Sequence, residues 1–226
     1  MSVLFVTGTD TGVGKTVVAA AIAATQLSLG RRVAAVKPAQ TGVGPDEDGD
    51  LAEVRRLGGE LTLHEGVRLD QPLAPATAAR LAGRDLPGLD EQRNQVVATA
   101  RDHDLTIVEG SGGVLVSLGT HWDLIDLAES VQYAGHPAAF VVVARAGLGT
   151  LNHSALTVHA ITARGLTVEG VVIGAWPEQP DLAAEQNLLD LPTQTGVPLL
   201  GRIPEGAARM PVREFRRAAL DWLPVL

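Results

Sequence analysis

The chain has 226 residues, 46% of them hydrophobic and 19% charged, with a formal net charge of −8 and no cysteine. That length suits one α/β domain spanning residues 1–226 with a core large enough to need no covalent staples, and the lack of cysteine excludes a disulfide scaffold and a thiolate metal site. The acid excess and only seven aromatic side chains argue against a nucleic-acid partner, which needs clustered Lys and Arg or base-stacking platforms.

The first predicted element is a strand over Val3–Val6, with no basic flank or cleavage site before it, so no secretory signal is expected. It runs into TGTDTGVGKT at 7–16, a Gly-rich turn closing on Gly14-Lys15-Thr16 and opening a helix. Such a turn cradles phosphate, because consecutive backbone N–H groups converge on one anion only where Cβ atoms are absent, and the helix dipole adds to the attraction. Gly12, Val13, Gly14, Lys15, Thr16 and Val17 are therefore the expected nucleotide-binding residues, with Lys15 reaching the terminal phosphates and the Thr16 hydroxyl on Mg²⁺. The strict spacing wants Gly at position 9, where Thr9 stands; Gly8 comes one residue early. The Ala- and Leu-rich helix that follows is expected to stop at Gly30.

A second strand is predicted over Val33–Lys37, ended by Pro38, leaving Lys37 at the carboxyl edge of the sheet, where open α/β folds bind ligands. Its position there suggests a part in the chemistry and little in folding. The acidic loop 44–50 precedes a helix starting near Asp50. Asp50 reads either as its N-cap, with Glu53 completing a capping-box-like pair, or as a metal ligand, and Asp46, Glu47 and Asp48 are equally acidic neighbours. A loop over 71–75 and helices over 76–82 and 89–101 follow.

The third strand, Leu105–Glu109, ends in a carboxylate and enters Gly110-Ser111-Gly112-Gly113, the place where a phosphate-loop protein holds Mg²⁺ from a neighbouring strand. The apolar run 138–144 is a fourth strand buried on both faces and far short of the ~18 residues of a membrane span. Its loop leads to a helix near Leu151, with Thr150 or Asn152 as candidate cap. Strands over 168–175 and 199–203 complete six, and the amphipathic segment with Val212, Phe215, Ala219 and Trp222 is read as a helix capping its own domain. No two of the six histidines stand at helical metal-ligand spacing. The strand–helix alternation predicts an α/β fold of phosphate-loop NTPase type, a mostly parallel sheet with helices on both faces.

On TGTDTGVGKT at 7–16, KPAQTG at 37–42, VEGSGG at 108–113, GLGTLNH at 147–153 and PLLGRIP at 198–204, the chain resembles the dethiobiotin synthetase family over nearly its whole length. The early Gly8 is a feature of that family. The resemblance implies a cytoplasmic, Mg²⁺-dependent ligase that carboxylates the diamino acid 7,8-diaminopelargonic acid with carbon dioxide. A nucleoside triphosphate phosphorylates the carbamate, and the ureido ring then closes. It implies catalytic roles for Lys15, Lys37 and Thr11, metal ligation by Thr16, Asp50 and Glu109, and substrate contacts from Thr11, Lys37, Thr41, Pro72, Gly113, Leu151 and Asn152. Asn152 is implied to reach in from the partner of a homodimer. The nucleotide contacts extend to Asp50, Glu109, Gly110, Ser111, Gly112, Gly174, Ala175, Pro204, Glu205 and Gly206. Where the family commonly has an adenine-reading Asn, this chain has Gly174. Two other classes compete. A regulatory ATPase switch typically has a lysine five residues before the motif lysine, where Asp10 stands; an amidotransferase-type synthetase needs a nucleophilic Cys and a further domain.

Overall fold

The computed structural model describes residues 2–224. The chain runs β1 (Ser2–Gly8), α1 (Lys15–Ser28), β2 (Val33–Thr41), α2 (Asp50–Gly58), β3 (Thr62–Leu69), α3 (Pro75–Ala82), α4 (Leu89–Asp102) and β4 (Leu105–Gly113). It continues as α5 (Leu124–Tyr133), β5 (Ala138–Ala144), α6 (Thr150–Thr162), β6 (Thr167–Trp176), α7 (Leu182–Thr195), β7 (Leu199–Pro204) and α8 (Val212–Trp222). The seven strands form one sheet in the order β3-β2-β4-β1-β5-β6-β7, every neighbouring pair parallel.

Both sheet faces are covered, so the central strands are apolar throughout and not alternating. On one face Phe5 stacks on Phe140, their centroids 5.2 Å apart, under α4 and α5. On the other, α1 lies close to the sheet because Ala19, Ala20, Ala21, Ala23 and Ala24 are all buried and small. The Phe215 and Trp222 rings of α8 meet edge to face at 5.3 Å, and α8 packs on α1, as the amphipathic pattern predicts. The chain passes outward from β1 to β2 and β3, returns to insert β4, then crosses β1 to continue at β5. Ligands bind at such a reversal, outside the carboxyl ends of the strands.

Several expectations are corrected. Pro38 does not end the second strand. Pairing with β4 stops at Val36↔Val108, just before it, so the missing N–H is not needed on that side, while pairing with β3 continues to Thr41↔Leu69. Among the described residues there are seven strands and not six, because β3 was not expected. It is an edge strand, mostly half-exposed, with no apolar run to announce it. α5 and α7 were also unforeseen, the latter containing Pro192 in its last turn. β4 extends beyond Glu109 through the glycines to Gly113. Neither Asp50 nor Thr150 or Asn152 caps a helix: the caps are Gly49 and Gly149, without side-chain bonds.

Candidate active site

The β2–β4 register builds the centre of the site. Lys37 and Glu109 each follow the last paired rung, Val36↔Val108, so they emerge side by side on neighbouring strands. The Lys37 ammonium donates to Glu109 Oε1 at 2.8 Å and to the Gly110 carbonyl at 3.3 Å, and pairs with Asp50 Oδ2 at 2.5 Å. Lys37 is 3% and Glu109 1% exposed, so the expectation of a lysine at an open sheet edge with little part in folding is overturned. Burial by itself would push the Lys37 ammonium down, but Glu109 and Asp50 hold it above the ordinary lysine value. It therefore stays charged at neutral pH.

The Thr16 hydroxyl donates to the same Glu109 Oε1 at 2.9 Å, which joins α1 to this cluster. Among the described residues, Glu109 Oε2 is buried with no hydrogen-bond partner. A buried carboxylate oxygen left so is costly, and the oxygens gathered around the Lys37 ammonium and Thr16, one hydroxyl and two carboxylates, are the kind that suits Mg²⁺, a hard ion that keeps several waters and phosphate oxygens among its ligands. Thr16, Asp50 and Glu109 thus fit the expected metal.

The phosphate loop sits beside them. Gly14, with φ of 99°, caps α1, and a Cβ there would lie 2.7 Å from the Gly174 carbonyl. The reciprocal is tighter, since a Cβ on Gly174 would come 2.1 Å from the Val13 carbonyl. Gly174 is therefore a backing for the phosphate loop, and no side chain fits at that position without moving the loop. The Lys15 ammonium is bound to the Asp10 carbonyl at 3.0 Å; burial, and then the neighbouring Lys37, lower its pKa. Asp10 in turn accepts from Thr11 N at 2.7 Å and from Arg145 at 2.9 Å.

These groups line a cavity of about 730 Å³. It gathers Thr11, Gly12, Gly14, Lys15, Thr16, Val17, Lys37, Thr41, Pro72, Asp50, Glu109, Ser111 and Gly112 of the expected residues. The Ser111 hydroxyl is turned away to the Ala39 carbonyl at 2.6 Å. Val13 is buried behind the loop, and Gly110 and Gly113 lie in β4 outside the lining. Gly174, Ala175, Pro204, Glu205 and Gly206 form a separate backbone ledge where β6 and β7 end, joined by Glu205 N donating to the Trp176 carbonyl at 2.7 Å. One face of the Trp176 ring is covered by the Arg202 guanidinium at 4.6 Å. Leu151 and Asn152, in the first turn of α6, do not line this chain's cavity. Unforeseen wall residues are Gln40, Val43, Leu73–Pro75 and Val116; the block KPAQTG, which contains Gln40, and the Pro-rich loop 71–75 were the visible hints of part of them.

The model for the AAA domain family matches residues 2–212. The ATP-dependent dethiobiotin synthetase BioD of Streptomyces coelicolor is 50% identical, over 99% of this chain and 92% of that protein. The same-named protein of Saccharopolyspora erythraea is 53% identical, over 97% and 96%. Among solved structures, the septum site-determining protein MinD of Pyrococcus horikoshii superposes with a TM-score of 0.57 at 15% identity, covering 100% of this chain and 90% of that one. A ParA family ATPase from Chlorobium tepidum does so with 0.57 at 14%, covering 100% and 94%. The two structural likenesses carry the phosphate-loop fold alone. Among the described residues no helix is long and apolar enough to cross a membrane.

Proposed function

The chain belongs to the dethiobiotin synthetase family of nucleotide-driven ligases, and from that membership we propose that it converts 7,8-diaminopelargonic acid, carbon dioxide and a nucleoside triphosphate to dethiobiotin, the nucleoside diphosphate and phosphate. The observation that carries the reading to these residues is the buried Lys37 held between Asp50 and Glu109 beside the phosphate loop. An amine of the substrate adds to carbon dioxide to give a carbamate, whose oxygen attacks the terminal phosphorus as the diphosphate leaves. The second amine then attacks the carbamoyl carbon and phosphate departs with the ring closed. Such a sequence needs positioning and charge neutralisation more than covalent help from the protein. Lys15 and Lys37 supply fixed cations on two sides of the transferring group, and the N–H groups of residues 12–16 supply the rest. Thr16, Asp50 and Glu109 would hold Mg²⁺, which when bound neutralises phosphate charge. Thr11 and Thr41 offer hydroxyls on the substrate side of the cavity.

The substrate's distant carboxylate suits the N-terminus of α6 from a second copy of the chain, with Asn152 as its contact. Asn152 is exposed on α6, and Leu148 and Leu156 near it are 89% and 60% exposed, an apolar setting that supports a homodimer. The single sheet from residue 2 to 204 supports treating the chain as one domain. The test is a mass-spectrometric product assay with the diamine, bicarbonate, Mg²⁺ and a nucleoside triphosphate. Dethiobiotin should appear with one diphosphate per ring closed; hydrolysis that ignores the diamine and leaves no ureido product would favour the switch class.

Base selection should be weak. The ledge at 174–175 and 204–206 offers backbone but no side-chain amide, and the phosphate contacts are common to all nucleotides. A site without a side-chain amide, which both donates to and accepts from a base edge, has less with which to reject the wrong base. Values of kcat/KM for ATP, CTP, GTP and UTP should fall within about 100-fold, roughly 2.7 kcal/mol, of one another. A larger preference for ATP would mean that backbone near Pro204–Gly206 reads adenine after all.

A further inference from the structure

Two side chains outside the expected set tie down the loop that delivers Asp50. Gln40, on β2 and 3% exposed, accepts the Asp50 backbone N–H on its amide oxygen at 2.9 Å and donates from its amide nitrogen to the Thr41 carbonyl at 3.2 Å. Arg68, on β3, uses one terminal nitrogen for the carbonyls of Gly44 at 2.9 Å and Glu47 at 2.6 Å. Its remaining two nitrogens sit on both oxygens of Glu65, at 2.6 and 2.8 Å. This bidentate pair locks the guanidinium plane, so the loop is bonded to a fixed object and not to a swinging side chain. The two anchors meet at Gly49, where a Cβ would lie 2.9 Å from Gln40 Oε1 and 3.1 Å from Arg68 Nη2.

Without these anchors, residues 44–49 would be a short Gly-rich segment with Asp46, Glu47 and Asp48 all able to drift toward a cation. With them, the loop's backbone is committed from both ends, and the Glu47 carboxylate is turned back onto Gly44 N at 2.8 Å. Asp50 alone projects to the Lys37–Glu109 cluster. We infer that Gln40 and Arg68 are positioning residues that select the Asp50 carboxylate, over its three acidic neighbours, for the divalent cation. The inference rests on the reading of Asp50 as a metal ligand. It also gives edge strand β3 a task in the site, since Arg68 and Glu65 both lie on it.

The test compares Arg68→Met, Arg68→Lys, Gln40→Met and Asp50→Asn with the wild type by two measurements. One is amide hydrogen exchange over residues 44–50 in protein without metal or nucleotide. The other is Mn²⁺ affinity, by electron paramagnetic resonance, in the presence of a non-hydrolysable nucleoside triphosphate. Arg68→Met and Gln40→Met should speed exchange and weaken Mn²⁺ binding by about 10- to 100-fold, the usual effect of losing a group that orients a ligand. Arg68→Lys, which keeps the charge but not the planar bracket, should fall between. Asp50→Asn should weaken Mn²⁺ with slow exchange retained; if it binds Mn²⁺ as the wild type does, the ligand assignment itself falls. If Asp50→Asn weakens binding but Arg68→Met matches the wild type in both measurements, the positioning role is overturned. Arg68 is a quarter exposed, so its variants carry the test even where Gln40→Met does not fold.

Discussion

Lys37→Ala should lower turnover by about 10²- to 10³-fold, on the order of 2.7–4 kcal/mol, as loss of a preorganised electrostatic donor does, and should also destabilise the fold. The second effect follows from burial. Removing one partner of a buried ion pair leaves the other charge uncompensated, at about 3–5 kcal/mol, and here the orphan would be Glu109, 1% exposed. The two effects separate in a Glu109→Gln background. There no buried carboxylate remains to be stranded, so Lys37→Ala should cost far less stability, and the turnover effect of Lys37 is read in the wild-type background, since Glu109→Gln lowers turnover by itself. Urea unfolding of the four proteins, with kcat for each, measures the coupling. A Lys37→Ala chain with a wild-type midpoint would deny that the pair supports the fold, and near-native turnover would make Lys37 a bystander. The pH dependence has a definite sign. The folded-state pKa of Lys37 is raised, so its stabilisation is complete below the unfolded lysine value, about 10.4, and is lost as pH climbs through the higher folded value. No part of it should be lost between pH 7 and 9.

Inactive Lys15→Ala and inactive Asn152→Ala chains, mixed and allowed to exchange subunits, should regain up to about one quarter of wild-type activity. Random mixing makes about half the dimers mixed, and each of those has one site with both residues intact and one with neither. The expectation comes from Asn152 lying outside its own chain's cavity while Lys15 lines it. Activity of the mixture against each parent, with exchange verified by a mass tag, decides it. Zero recovery after full exchange would put both residues in one subunit's site.

The sequence announced the parts of this fold that are buried on both faces. β1, β5 and β6 have apolar runs that admit few other readings, and the phosphate loop follows from Gly12, Gly14, Lys15 and Thr16. β3 was hidden because an edge strand paired only to β2 needs no apolar run, and TLHEGVRL has the look of a loop. Lys37 was expected at an open edge and is buried: a strand-end lysine reads as exposed until the register puts Glu109 beside it. Asp50 could not be told from Asp46, Glu47 and Asp48 because the groups that distinguish it, Gln40 and Arg68, are bonds made across the fold and leave no local pattern. The backing role of Gly174 was equally invisible, since it depends on how near β6 passes to a turn some 160 positions earlier.

That close passage bears on how base preference can change over successive generations of this chain. A mutation at codon 174 to any residue with a side chain drives a carbon into the Val13 carbonyl, so it is penalised before the new group can meet a base. Adenine reading through a side chain at position 174 is therefore not one substitution away. A change that lets the end of β6 draw back from the Val13–Gly14 turn must accompany it. If base selection is as weak as proposed, packing helps to keep it so, because a side chain at position 174 needs the Val13–Gly14 turn to move.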